Sequence, residues 1–417
     1  MADAKKTAEG PAERGEERKG VVERKGVVEQ DGDAAFRRRL RDAQRSARRA
    51  LSRPRMRDSL GERIEELARL AGTVAELDEP VDIYGGGIVA ELEERVAELL
   101  GTEAAAFFPS GTMAQQVALR AWAGRTGNPV VALHPLAHPE VHERDAFRTV
   151  SGLRTVHPTR APRLPTATEV AALEEPFGTL MLELPLRDAG FVLPSWEELV
   201  DVVAAARERD AVVHFDGARL WETETHFGRD LREIAALADS VYVSFYKSLE
   251  GLGGAVLAGP QQLIDEARAW RHRYGGQIFQ QFPTALSALI GLDRELPRLP
   301  EYVARAREVS AALRRGLERS GVSWYRLHPE VPHTHQFQLW LPYSAGELDE
   351  AGIAQARERS ESLFGAWHDQ QVPGIAFTEV TVTAAALEWP DGDIEEAAAD
   401  FVARLAKGSR ARRKEKA

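Results

Sequence analysis

Short β-rich runs alternate with amphipathic helical patterns through the middle of the chain. AAAFF, VVALHP, TLMLELP, AVVHFDG and SVYVSFYK are the runs; SWEELVDVVAAARERD and RDLREIAALAD are helical patterns between some of them. This alternation predicts an α/β domain with a mainly parallel sheet. Open sheets of that kind place ligands beyond the C-terminal ends of their strands, so the residues that end these runs are the first candidates for function.

The flanks are different. Residues 1–58 are charged and poor in apolar residues, which predicts a disordered or solvated arm. The tandem KGVVE at Lys19 and Lys25 is too short for a repeat architecture. FRRRLRDAQRSARRALSRPRMR (36–57) holds ten arginines against one aspartate. It reads as a solvated arm or an oligomer contact, with Pro54 ending any helix. A large domain over 59–300, a smaller α+β domain over 301–408 and a frayed basic tail over 409–417 complete the expected organisation. The net charge of -11 argues against a protein built mainly for nucleic acid, and the lack of cysteine excludes disulfides and thiolate metal sites. With neither a secretory signal nor a membrane-spanning run in sight, the expected location is the cytoplasm.

Four strand ends stand out. In PSGTMAQQ, Ser110, Gly111 and Thr112 open a helix whose N-terminal N–H groups could cradle a phosphate. HPLAHPEVHERD offers His134, His138 and His142; the spacing of the last two suits a metal pair, but Pro139 argues against a helix through both and a third ligand is lacking, so no metal is expected. A histidine stacked on a flat ligand is the other option there. In HFDGARLW, Asp216 ends a strand and either pairs with Arg219 or faces a ligand cation. In VSFYKSLEGLGG, Lys247 ends a strand and glycines follow. Lysine is costly at the end of a buried strand unless it is used, and a desolvated lysine can attack a carbonyl. A phosphate cradle, a ring stacker, a carboxylate and a lysine together are the parts that hold pyridoxal phosphate.

IYGGGIVAELEERVAELLGTEAAAFFPSGTMAQQVALR, HFDGARLW and SVYVSFYKSLEGLGGAVLAG resemble, in order and spacing, the threonine aldolase and β-eliminating lyase family of fold-type-I pyridoxal-phosphate enzymes. The likeness spans roughly residues 80–300. It implies Lys247 as the Schiff-base lysine and Asp216 as the partner of the pyridine nitrogen. It implies Ser110, Gly111 and Thr112 as the phosphate turn with Ser244 nearby, His138 on the ring face and Glu143 beside it. Arg219 would meet the cofactor and the substrate carboxylate, and Tyr84 would reach a neighbouring subunit's site in a homodimer or homotetramer.

Departures fall on the substrate side. Leu186 stands where the family often has a histidine, Phe279 where an arginine is expected, and Glu379 near the place of a second carboxylate-binding arginine. The expected activity is aldol cleavage or formation of a β-hydroxy-α-amino acid, with His138, Glu143 or water as base and Arg187, Arg271 or Arg273 as further cations. β-Elimination on a β-substituted amino acid is the alternative, with His333 and His335 as replacement polar groups. A third reading keeps the fold as a non-catalytic scaffold and makes the arginine arm the working part.

Overall fold

The computed structural model describes residues 34–52 and 58–415. Seven strands form the main sheet: β1 Ala104–Phe108, β2 Val130–Ala132, β3 Arg154–Val156, β4 Thr179–Glu183, β5 Val212–Gly217, β6 Ser240–Ser244 and β7 Ala255–Gly259. Their order is β1-β7-β6-β5-β4-β2-β3. Pairing is parallel from β3 to β6, and only β7 runs antiparallel, to both β6 and β1. β1, β4, β6 and β7 are buried along their whole length. That is the burial expected of strands covered on both faces by helices, and it explains why they read as continuous apolar runs. The apolar core around them includes Leu92, Val96, Phe107, Leu182, Phe215, Val243 and Phe245.

The smaller domain is an antiparallel sheet of β8 Arg326–His328, β9 Gln336–Leu341, β10 His368–Asp369 and β11 Ala376–Thr381, in the order β10-β11-β9-β8. The helix Leu299–Ser320 belongs to both domains. Leu299 and Tyr302 sit in the large-domain core, whereas Ala306, Val309, Leu313 and Leu317 sit in the small-domain core. The expected boundary at 300 therefore falls at the start of a shared helix.

Residues 34–52 of the arm differ from their expectation. Residues 34–46 form a helix, and its Leu40 and Ala43 bury against Ile353 and Ala356. Arg49–Ala50 pairs in parallel with Glu361–Ser362, and Leu51 is fully buried in the small-domain core. Part of the charge is paired within the chain: Arg39 meets Glu350 at 3.0 Å, Arg49 meets Asp393 at 2.8 Å, and Arg49 stacks on Trp389. A few apolar residues spaced along the basic stretch are enough to dock it, which overall composition conceals. The tandem KGVVE and Pro54 lie outside the described residues. The basic C-terminal stretch also differs, since the helix from Asp391 continues to Glu415. Among the described residues no helix is long and apolar enough to cross a membrane.

Candidate active site

The site assembles where β1, β4, β5 and β6 end. Ser110 caps the helix Gly111–Thr126, its hydroxyl accepting the Met113 N–H at 3.3 Å. This leaves the first N–H groups of the helix directed out of its end, as helix termini do. Only glycine fits at 111, because a Cβ there would lie 2.0 Å from the Tyr242 hydroxyl.

Asp216 and Glu183 are neighbours in register on β5 and β4. Both are buried. Asp216 accepts the Ala218 N–H at 3.1 Å; burial pushes its carboxyl up and the Lys247 charge pulls it down. Glu183 accepts the His138 N–H at 2.6 Å and the Arg187 N–H at 3.1 Å. Burial, reinforced by the neighbouring Asp216 charge, raises it to about 7.

Lys247 lies three residues beyond β6. The loop after it closes tightly, with the Gly251 N–H donating to the Phe245 carbonyl at 2.7 Å. At Gly254, with φ of +82°, a Cβ would strike the Phe107 ring at 2.5 Å. Burial, then the Arg219 charge, lowers Lys247 to about 8, against the opposing pull of Asp216 and Glu183. A substantial neutral fraction is the state a nucleophilic amine needs.

Arg219 follows β5, with its guanidinium 5.3 Å from the Phe191 ring centre and its buried Nε without a hydrogen-bond partner among the described residues. His138 opens the short helix His138–His142 and meets Glu143 Oε1 through Nδ1 at 3.2 Å. Glu143 is buried and also accepts from Gln116. Pro139 does not prevent that helix, contrary to expectation, because proline is tolerated in a first turn. His134 is a buried structural residue bonded to the Ala161 carbonyl and the Leu136 N–H.

Lys247, Asp216, Arg219, His138 and Glu143 thus form one cluster, with Ser110, Gly111 and Thr112 on its rim. Ser244 lies beneath, donating its hydroxyl to the Ala218 carbonyl at 2.8 Å. Tyr84 stands apart on the surface, its ring edge against Phe279 at 5.4 Å and its N–H on the Phe279 carbonyl. Leu186 is buried and bridges to Val192. Arg271 is committed to Glu93 and the Phe107 carbonyl, and Arg273 stacks on Trp270. Arg187 remains at the site, joined to Glu379 at 2.9 Å and to Asp188 at 3.2 Å.

Glu183 escaped the reading of the sequence as a site residue. Its signal was available: like Asp216, it is a carboxylate ending an otherwise apolar run. The Tyr242–Tyr246 hydroxyl pair beside Gly111 was also missed. His333 and His335 do lie in the loop before β9, as expected, but both have partners. His333 accepts the Leu193 N–H at 3.0 Å, and His335 is buried 2.5 Å from Glu222.

The geometry can be set beside known proteins. The profile of the beta-eliminating lyase family matches residues 64–318. Low-specificity L-threonine aldolase 1 of Arabidopsis thaliana is 29% identical over 250 residues, covering 57% of this chain and 69% of the relative. The low specificity L-threonine aldolase of Escherichia coli O157:H7 is 30% identical over 227 residues, covering 53% of this chain and 67% of the relative. The crystal structure of a candidate L-allo-threonine aldolase from Listeria monocytogenes superposes with a TM-score of 0.79 at 32% identity, covering 88% of this chain and 99% of that one. The matched segment contains every member of the Lys247 cluster, and the architecture is that of fold-type-I pyridoxal-phosphate enzymes. The chain belongs to the threonine aldolase and β-eliminating lyase family.

Proposed function

We propose that the protein is a pyridoxal-phosphate-dependent aldolase that cleaves or forms the Cα–Cβ bond of a β-hydroxy-α-amino acid, exchanging it with glycine and an aldehyde. One observation carries the reading: Lys247 follows the end of β6 beside the strand that carries buried Asp216, and burial with the Arg219 charge lowers its ammonium to about 8.

The residues fit the cofactor. A buried carboxyl with one backbone donor suits a protonated ring nitrogen, and the capped Gly111–Thr126 helix suits a phosphate. The part-exposed His138 ring suits a flat face. Lys247 would hold the cofactor covalently. When bound, pyridoxal phosphate supplies an electron sink conjugated to the substrate nitrogen, which weakens a bond at Cα.

The rest is the work of this chain's side chains. The Arg219 guanidinium, whose Nε has no partner among the described residues, would meet the substrate carboxylate, and Arg187 adds positive charge near Lys247. Orientation by these groups decides which Cα bond is aligned for cleavage. His138, steadied through Nδ1 by Glu143, would take the β-hydroxyl proton at Nε2. Such general-base help is worth about 10²–10⁴-fold. Relatives named threonine aldolases support this reading. β-Elimination is the second reading, favoured by one observation: apolar Leu186 replaces a polar group expected near the β-substituent. The scaffold reading is weaker, because Arg39, Arg45 and Arg49 of the arm pair with acids of the same chain.

A homo-oligomer with shared sites fits the exposed Ile83, Tyr84, Ile278 and Phe279, an apolar surface for a second copy. Light scattering should report at least a dimer; a monomer at micromolar concentration would refute it. The activity test incubates cofactor-loaded protein and Lys247→Ala with a panel of β-hydroxy-α-amino acids. Glycine and an aldehyde from the wild type alone are expected. Ammonia and a keto acid would overturn the aldolase reading in favour of elimination.

A further inference from the structure

A buried charged pair, to which the reaction assigns no role, touches the residue after Lys247. Glu222 ends the turn that begins at Arg219, with the Glu222 N–H donating to the Arg219 carbonyl at 3.3 Å. His335 precedes β9 of the small domain. Both side chains are almost entirely excluded from solvent, and His335 Nε2 lies 2.5 Å from Glu222 Oε2. Ser248, the residue after Lys247, donates its hydroxyl to the same Oε2 at 2.6 Å.

The proton positions follow from the partners. His335 Nδ1 faces the Val382 carbonyl at 2.8 Å, and a carbonyl only accepts, so Nδ1 carries hydrogen. One more proton lies between Nε2 and Glu222; the Arg219 charge and the Ser248 hydroxyl both favour the carboxylate, which makes the pair an imidazolium and a carboxylate. The directions agree: the Glu222 carboxyl is held below its usual range by His335 and Arg219 against the cost of burial, and His335 is raised by Glu222. The remaining neighbours are the Tyr302 ring, 6.2 Å from the imidazole, whose hydroxyl donates to Glu295, and the Arg219 charge. A buried pair of this kind is weak evidence for stability, since apolar replacements are often as stable.

We propose that Glu222 and His335 are positioning residues. Their pairing across the domain boundary fixes Ser248, the residue after Lys247, and the turn that begins at Arg219. Small-domain docking thereby sets the electrostatic environment of the lysine. The inference rests on reading Lys247 as the cofactor lysine.

The test uses cofactor-loaded wild type, Glu222→Gln, His335→Gln and the double variant. The readouts are the pH midpoint of the visible band of the lysine-bound cofactor, with KM and kcat alongside. Glu222→Gln removes the anion beside Arg219 and should lower the midpoint by about 0.5 pH unit or more. His335→Gln leaves that anion in the company of Arg219 and should raise it. The uncharged double variant should resemble Glu222→Gln and, if the single variants do not fold, serves in their place. KM should rise more than kcat falls, because Arg219 is displaced. Single variants that shift together, or a double variant with the wild-type midpoint, would overturn the proposal. So would unmoved midpoints, and these leave the cofactor reading intact. A wild type without the band would overturn both.

Discussion

Replacing Glu183 by glutamine should change how stability depends on pH more than it changes stability itself. The Glu183 carboxyl is raised from 4.5 to about 7, first by burial and then by Asp216. A carboxyl raised on folding stabilises the fold fully below its unfolded value, and that contribution is lost as pH rises through the folded value. The shift corresponds to about 3 kcal/mol lost between roughly pH 4.5 and 7. Glutamine does not titrate, so the variant should not show this loss. It brings a cost of its own. Both Glu183 oxygens accept backbone N–H groups, from His138 and Arg187, and an amide can accept only one of them. Leaving the other unpaired costs about 1–3 kcal/mol. The variant should therefore be less stable than wild type at pH 5 and equal to it or more stable at pH 8. Thermal unfolding of the cofactor-free proteins at both pH values measures this. A difference between the two proteins that stays constant from pH 5 to pH 8 would refute the argument that Glu183 holds its proton through burial beside Asp216.

Other expectations are as specific. Arg219→Gln should raise KM for the amino acid about 10–100-fold, from the loss of a charge-assisted hydrogen bond; it should also raise the Lys247 pKa, read from the pH dependence of aldehyde capture by the cofactor-free protein, because the Arg219 charge lowers it. Gly111→Ala should weaken cofactor binding, since its Cβ meets the Tyr242 hydroxyl, and Tyr242→Phe should partly restore it; equilibrium dialysis measures both. Leu51→Ala, within the docked arm, should destabilise the protein by about 2–5 kcal/mol in denaturant unfolding while leaving the pH midpoint of the cofactor band unchanged.

Much of the large domain was legible because its pattern is local. Apolar runs four to six residues long, separated by helices, encode parallel strands wherever the rest of the chain lies. The candidates at the ends of those runs, Lys247, Asp216 and the Ser110 turn, converge at one sheet edge for the same reason. The docking of residues 34–52 was concealed because arginines dominate their composition, whereas Leu40, Ala43 and Leu51 determine where they pack. His335 was hidden more deeply. Its role depends on Glu222, more than a hundred residues away, and nothing near either residue in the chain announces the other.

The amino-acid sequence by itself determined the sheet, the ends of its strands and the residue types waiting there, since hydrophobic period and turn chemistry act over a few residues. Tertiary structure alone decided which groups share a dry environment. It placed Glu183 beside Asp216 through strand register, joined Arg187 to Glu379 across the domains, and buried His335 against Glu222. Those pairings control charge, because the cost of desolvating an ionisable group and the strength of its partner's field depend on distances that only the folded chain sets.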